Sequence, residues 1–123
     1  MPEILSNGVL AKEPTGSEFY TVKNALANPT AAGNTQVVAA VSTKKIRVLS
    51  YIVTNNNSSP ATVKFQSATT DKTAAHLLAA TGGGHARSAP AGAFLFETAT
   101  SEALNINLAG TGAVACDVTY IEV

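Results

Sequence analysis

The feature that most constrains the fold is a series of short segments, between Gln36 and Val123, in which apolar and polar residues alternate. A period of two residues places successive side chains on opposite faces of an extended chain, so it predicts strands and not helices. Residues 1–34 lack this pattern. We therefore expect a β-domain over residues 35–123, preceded by an N-terminal arm over residues 1–34, part of which can join the domain.

About seven strands are predicted, separated by segments rich in Gly, Pro, Asn and Ser. They cover residues 37–41, 45–54, 61–67, 73–80, 93–98, 103–109 and 113–123. Residues 73–80 are rich in good helix formers, so a short helix is the alternative there, and a strand is favoured because the neighbouring segments are strands. We expect the second and third to pair as a hairpin across a loop tip at residues 55–60, and residues 82–92 to form a long flexible connection. Short strands at this spacing predict an all-β fold, an antiparallel β-sandwich that is jelly-roll-like and carries an extended N-terminal arm.

The strand predicted over residues 45–54 has apolar side chains on both faces. In strict alternation one face carries Ile46, Val48, Ser50 and Ile52, and the opposite face carries Arg47, Leu49, Tyr51 and Val53. Such a strand lies in the middle of a covered sheet, or in a sheet whose outer face packs on another subunit. We take Leu49, Tyr51 and Val53 as the candidate subunit-interface residues.

The chain is sparsely charged and electrically balanced. Charged residues make up 13% of the sequence and the formal net charge is zero, whereas an average domain has about 25% charged residues. Because an isolated domain usually keeps more surface charge, we expect part of this surface to lie against protein. The absence of a basic excess argues against nucleic acid as a partner. We interpret the one basic cluster, Lys44, Lys45 and Arg47, as a solvated strand start rather than a phosphate site.

The arm contains three isolated pairs of apolar residues in an otherwise irregular segment. They are Ile4 and Leu5, Val9 and Leu10, and Phe19 and Tyr20. Spaced pairs of this kind favour an extended segment that docks in the grooves of a neighbour, so these six residues are the candidate partner-binding arm. For residues 19–22 a place as the first strand of the sandwich is an equally good interpretation. We expect removal of residues 1–10 to leave a folded body that no longer holds to its partner.

The sequence contains no recognisable catalytic, metal or cofactor motif, and we expect a non-enzymatic protein. His76 and His85 match no metal-ligand spacing and are expected to be exposed loop residues. The glycine run 82–84 lacks the Lys and Ser or Thr of a phosphate loop, so a hinge or loop tip is favoured. Glu97 and Glu102 can lie side by side across a turn, as in a glycosidase. A solvated turn is favoured, because the chain has no Trp and few aromatic residues to stack on sugars.

Cys116 is the single cysteine of the chain, so it cannot form an intramolecular disulfide. Alternation places it on the face of Val114 and Val118, which predicts a buried structural thiol. No run of about 18 apolar residues and no signal-peptide pattern occurs in the sequence, so we expect no membrane partner and synthesis in the cytoplasm.

Three segments of the chain resemble small β-rich structural proteins of tailed bacteriophages. They are KKIRVLSY at residues 44–51, FLFETATSEALNINL at residues 94–108 and YIEV at residues 120–123. The resemblance spans roughly residues 36–123. It implies a decoration or cement protein that binds the outside of a capsid, reinforces contacts between major capsid protein subunits, forms a homotrimer and resides on the virion surface after synthesis in the host cytoplasm. An adaptor or receptor-binding module of the phage tail or fibre is the alternative.

Overall fold

The computed structural model describes residues 10–12 and 19–123 of the chain, and the described part is built from strands. The strands are β1 (Leu10–Lys12), β2 (Phe19–Thr21), β3 (Lys23–Ala27), β4 (Gly33–Val38), β5 (Ile46–Asn55), β6 (Ala61–Ser67), β7 (Thr70–Asp71), β8 (His76–Leu78), β9 (Gly83–Ser88), β10 (Phe96–Glu97), β11 (Leu104–Ala109) and β12 (Val114–Glu122). No helix long and apolar enough to span a membrane occurs in these two ranges.

Two antiparallel sheets pack face to face. Sheet I has the order β3-β12-β5, with β9 and β10 both paired to the remaining edge of β5. Sheet II has the order β4-β11-β6, with β7 and β8 both paired to the remaining edge of β6. The chain crosses between the sheets from β3 to β4, from β4 to β5, from β5 to β6, from β8 to β9, from β10 to β11 and from β11 to β12. Apart from the two-residue strands β7 and β10, each sheet has four strands, and the order of these strands is the jelly-roll arrangement, which confirms the predicted fold class.

The N-terminal part of the sandwich begins earlier than residue 35. Lys23–Ala27, within the segment assigned to the arm, forms β3 and pairs with β12 along Cys116–Tyr120. Phe19–Thr21 forms β2, which pairs with β1 in a separate two-stranded sheet.

The core lies between the two sheets and is lined by the inward side chains of both. Ile46, Val48 and Val53 of sheet I, and Leu104 and Ile106 of sheet II, have no exposed surface. Cys116 shares the buried face of β12 with Val114 and Val118, as its position in the alternation predicts. The burial of these apolar side chains, each contributing about 1.5–3 kcal/mol, is the main force that holds the sheets together.

A β-bulge interrupts the alternation of β5. Thr119 of β12 pairs with Ser50, whereas the next residue, Tyr120, pairs with Val48, so Leu49 is an extra residue in β5. The extra residue reverses which side chains point inward along the rest of the strand. Ile46 and Val48 are buried before the bulge, and Tyr51, Val53 and Asn55 are buried after it. The prediction of two constant faces along residues 45–54 is therefore wrong.

The predicted hairpin of β5 and β6 is also wrong. β12, β9 and β10 occupy the edges of β5, and residues 56–60 carry the chain across to sheet II, where β6 pairs with β11. Asn55, predicted as part of the loop tip, is fully buried. Its amide nitrogen lies 2.9 Å from the Ser59 carbonyl oxygen, and its Oδ1 accepts from the Asn57 amide at 3.0 Å. These bonds satisfy a buried polar side chain and hold the crossing in place.

The segment predicted as a flexible connection contains a strand. β9 pairs with Ser50–Asn55 over its whole length. The glycines that suggested flexibility are needed because the backbones approach closely here. A Cβ atom on Gly83 would overlap the backbone of Ala79, and one on Gly84 would overlap the carbonyl oxygen of Val53.

The other strands differ from their predicted bounds by varying amounts. β6 spans the predicted residues 61–67, and β11 and β12 begin one residue later than predicted. The segments 73–80 and 93–98 contribute only the short strands β8 and β10, and β4 begins at Gly33 rather than at Val37. A second bulge lies in β4, where Leu104 pairs with Val38 and Asn105 pairs with Gln36, so that both Val37 and Val38 are buried.

Candidate functional site

The face of sheet I that points away from the core carries small and apolar side chains. The strand register places Leu26, Asp117, Ile52 and Ala86 in one row across β3, β12, β5 and β9. The adjacent row consists of Asn24, Thr119, Ser50 and Ser88. We call these eight residues the outer face. Successive side chains of a strand point to opposite faces of the sheet. In β12 and in the second half of β5 every second side chain points into the core, so the residues between them belong to the outer face.

The outer face is nearly uncharged and exposes two large apolar side chains. Leu26 is 69% exposed and Ile52 is 46% exposed. Asp117 lies between them and has no ion-pair partner within residues 19–123. Shallow depressions flank it, one lined by Ile52, Ala86 and Arg87 and the other by Leu26. Exposed apolar side chains grouped around one unpaired charge are typical of a surface that contacts another protein.

Charged side chains are collected at one end of sheet I, where they neutralise one another. Arg47 Nε lies 2.7 Å from Glu97 Oε1 and Lys45 Nζ lies 3.4 Å from Glu97 Oε2. The Arg47 guanidinium also lies 4.5 Å from the centroid of the Phe94 ring. Burial raises the pKa of the Glu97 carboxyl, but the hydrogen bonds from Arg47 and Lys45 outweigh it, and the pKa falls below its ordinary value. Because Glu97 engages two of the three basic residues, this cluster is poorly suited to bind phosphate.

Two of the three predicted interface residues of β5 do not lie on the surface. Tyr51 and Val53 are buried in the core of their own chain, because the bulge at Leu49 turns them inward. We correct the interface prediction for these two residues. Leu49, the extra residue of the bulge, is half-buried. Ile52, which the strict alternation placed on the opposite face, is the exposed apolar residue of this strand.

The candidate arm residues lie partly outside the described residues. Ile4, Leu5 and Val9 fall there. Leu10 begins β1, and Phe19 and Tyr20 belong to β2, where Tyr20 is half-buried.

The two histidines meet across the gap between the sheets. His76 lies on β8 of sheet II and His85 on β9 of sheet I, and their ring centroids are 4.6 Å apart. The Tyr51 hydroxyl oxygen lies 2.9 Å from His85 Nε2. Both histidines are half-buried on strands, so the expectation of exposed loop histidines is wrong. The periodicity of the sequence could not predict this contact, because the two histidines lie in different sheets.

The electrostatic surroundings of this cluster favour uncharged side chains. Burial lowers the pKa of His85, and the nearby His76 and Arg87 lower it further. Burial raises the pKa of Tyr51, although the Arg87 guanidinium beside the hydroxyl acts in the opposite direction. At neutral pH the His85 imidazole is therefore neutral, and its Nε2 can accept the Tyr51 hydroxyl hydrogen. Among the described residues no group of three or more His, Cys, Asp or Glu side chains is placed to hold a metal ion.

The remaining candidates for chemistry have structural partners. Glu97 is engaged by Arg47 and Lys45, whereas Glu102 accepts a hydrogen bond of 2.6 Å from the Ser67 hydroxyl. Burial, with a smaller contribution from Asp117, raises the pKa of Cys116 to about 12. This thiol is therefore protonated at neutral pH and is not a nucleophile. The structure supports the interpretation of Cys116 as a structural residue.

Sequence reasoning missed the outer face. Leu26 lies in the segment assigned to the arm, and Asp117 and Ile52 are separated by 65 positions, so the chain order does not group them. The apolar character of both faces of residues 45–54 was a usable signal, because it indicated a second covered surface.

Comparison with known proteins gives similarity to solved structures but no family. No family model matches the chain, and no curated protein matches it. Among solved structures, the chain is similar to a chain of the "Cyanophage Pam1 capsid asymmetric unit", with 18% sequence identity and a TM-score of 0.41, over 98% of this chain and 99% of that chain. A TM-score of this size does not establish a common fold, so the jelly-roll assignment rests on the strand pairing described above.

Proposed function

We propose that this chain is a virion structural protein that binds the outside of a bacteriophage capsid and reinforces contacts between capsid subunits. The observation that carries the proposal is the outer face, which exposes Leu26 and Ile52 around Asp117, a carboxylate without an ion-pair partner in residues 20–123. The assignment to a bacteriophage particle is supported by the segments that resemble phage structural proteins, at residues 44–51, 94–108 and 120–123.

The physical requirements of such a protein agree with this surface. A protein that reinforces a shell must add buried area across subunits, and a standard interface buries about 800 Å² on each partner. Small side chains let a sheet face approach another surface closely, and the two exposed apolar residues supply the desolvation energy. Asp117 selects a partner that presents a basic side chain opposite it, since an unpaired buried carboxylate would be unfavourable.

The copy number in the particle tests the proposed class of function. In purified particles of the phage that encodes the chain, quantitative gel analysis should show hundreds of copies, as a component repeated over the shell requires. A few copies or a dozen would favour the tail or fibre alternative. Absence of the chain from the particle would contradict a virion role altogether.

The role of the outer face is tested by paired charge substitutions. Leu26→Lys with Ile52→Lys should abolish binding of the purified protein to shells that lack it, because both lysines would be desolvated at the interface. Leu77→Lys is the matched control, since Leu77 is 72% exposed but lies on β8 of sheet II. The melting temperature of each variant should stay close to that of the wild type. If the two variants bound shells equally well, the outer face would not be the surface that contacts the capsid.

The arm is tested separately by truncation. We expect a protein lacking residues 1–10 to fold, because β3–β12 contain the whole sandwich, and to bind shells more weakly. Occupancy on shells, measured by cosedimentation, should fall below that of the full chain. Unchanged occupancy would assign attachment to the sandwich alone.

A further inference from the structure

β8 and β9 are short strands at one side of the sandwich. In the described residues β8 pairs with β6 of sheet II and β9 pairs with β5 of sheet I. The contact between His76 and His85 joins these two strands directly across the gap. Each strand is held by one ladder of hydrogen bonds and by this contact with the opposite sheet. β8 is held in addition by Leu78, which is buried in the core, and by the Asn55 amide, which lies 3.4 Å from the Leu78 carbonyl oxygen.

The surroundings of His85 favour its neutral form. A neutral imidazole can accept the Tyr51 hydroxyl at Nε2, over the observed 2.9 Å. Protonation makes Nε2 a donor, and the Tyr51 hydroxyl hydrogen then loses its acceptor. The new charge would also lie beside His76 and Arg87, both of which oppose it.

No acid compensates for that charge among the described groups that face the cluster. His76 faces His85 from β8, Tyr51 faces it from β5, and Arg87 lies on β9 itself. Behind Tyr51, on β12, Cys116 is a protonated thiol. The carboxylate of Asp71 in β7 is already engaged by Lys64 and Gln66, as the distances of 3.1 and 2.7 Å show.

We propose that His76, His85 and Tyr51 form a pH-sensitive latch, which holds β8 against β9 while the His85 imidazole is neutral and releases the two strands when His85 is protonated. The latch is a property of the sandwich and does not depend on the proposed virion role. Its direction follows from proton linkage. His85 in the closed latch has a pKa below its ordinary value of 6.5. An opened latch returns the imidazole to that value, so the open state binds more protons. The latch is fully stable above pH 6.5 and weakens as the pH falls from 6.5 through the pKa of the closed state.

The latch also lies at the end of a row of aromatic side chains in the core. The Tyr51 ring packs on Phe65, with ring centroids 4.7 Å apart, and Phe65 packs on Phe96 at 5.6 Å. Phe65 belongs to sheet II, so this row crosses between the sheets behind the latch. Opening should therefore stay local to β8, β9 and the residues between them, while the core behind Tyr51 remains packed.

Hydrogen exchange measured at pH 5.5 and 7.5, corrected for the intrinsic effect of pH on exchange, tests the latch. In the wild type, amides of residues 76–88 should lose protection at pH 5.5, whereas amides of β11 and β12 should keep it. Between these two pH values the opening constant should rise by up to about tenfold, because pH 5.5 lies one unit below the ordinary pKa of 6.5. The chain has two histidines, so the double variant His76→Gln with His85→Gln has none and should show no such change. A wild type that behaves like the double variant would overturn the proposal.

A second measurement does not depend on the stability of that variant. Titration of the imidazole C2 protons by nuclear magnetic resonance in the wild type should place the pKa of His85 below 6.5. The single substitution His76→Gln should raise it, because the electrostatic effect of His76, which lowers the pKa of His85, is removed. A structural role of His76 alone would not produce this shift. A wild-type pKa of His85 at or above 6.5 would refute the latch.

Discussion

At the scale of single residues, the close approach of two backbone segments explains the run of glycines at residues 82–84, which composition alone would assign to a flexible loop. Gly83 and Gly84 belong to a run of three glycines, which in a sequence indicates flexibility. In the fold, a side chain on Gly84 would overlap the Val53 carbonyl oxygen, and one on Gly83 would overlap the backbone of Ala79. These two glycines therefore allow a strand to pair where any larger residue would push it away.

We predict that Gly84→Ala lowers the free energy of unfolding by about 1–3 kcal/mol, the usual cost of forcing atoms into a packed site. Gly112→Ala is the matched control, since its Cβ would meet Leu108 and Ala61 only at 3.4–3.6 Å, an ordinary contact distance. The control should lie within about 1 kcal/mol of the wild type. Urea denaturation followed by circular dichroism measures both. Similar losses in the two variants would contradict the close approach of β9 to β5.

At the scale of elements, bulges decide which side chains each strand turns inward. The period-two pattern of β5 is regular on both sides of Leu49, but the extra residue changes its phase. Both faces of the strand are apolar, so polarity does not reveal the change. In β12, by contrast, Val114, Cys116 and Val118 alternate without interruption, and their burial was predicted correctly.

Substitutions on neighbouring residues of β5 test the phase. Val53→Thr keeps the shape of the side chain but buries a hydroxyl, and we expect a loss of about 1–3 kcal/mol in the free energy of unfolding. Ile52→Thr changes an exposed side chain and should cost less than Val53→Thr. Thermal or urea unfolding of the two purified variants gives the comparison. A larger loss of unfolding free energy for Ile52→Thr would contradict the bulge and support strict alternation along the strand.

At the scale of the whole molecule, charge is distributed unevenly over a chain with little of it. Glu97 pairs with Arg47 and Lys45 at one end of sheet I, and Glu122 pairs with Lys23 on the same sheet. The outer face is left with Asp117 as its single charge. A molecule of zero formal net charge with such a face has little electrostatic repulsion to oppose association.

We predict that the purified chain is a homotrimer in solution, with a mass three times the 12.5 kDa of the chain. Light scattering coupled to size-exclusion chromatography measures this mass. The variant with Leu26→Lys and Ile52→Lys should remain trimeric, because the proposed function assigns the outer face to the capsid. Dissociation of that variant would instead assign the outer face to contacts between copies. A monomeric wild type would contradict the argument from low charge.

The sequence by itself determined the properties that depend on neighbours along the chain. Alternation within a strand is local, so the all-β class, the bounds of β6 and the buried face of Cys116 could be predicted from it. The tertiary structure alone decided the division of β5 and β6 between two sheets, the inward turn of Tyr51 and the meeting of His76 with His85. Each of these depends on a partner strand distant in sequence, and a periodic pattern contains no information about which strand that partner is.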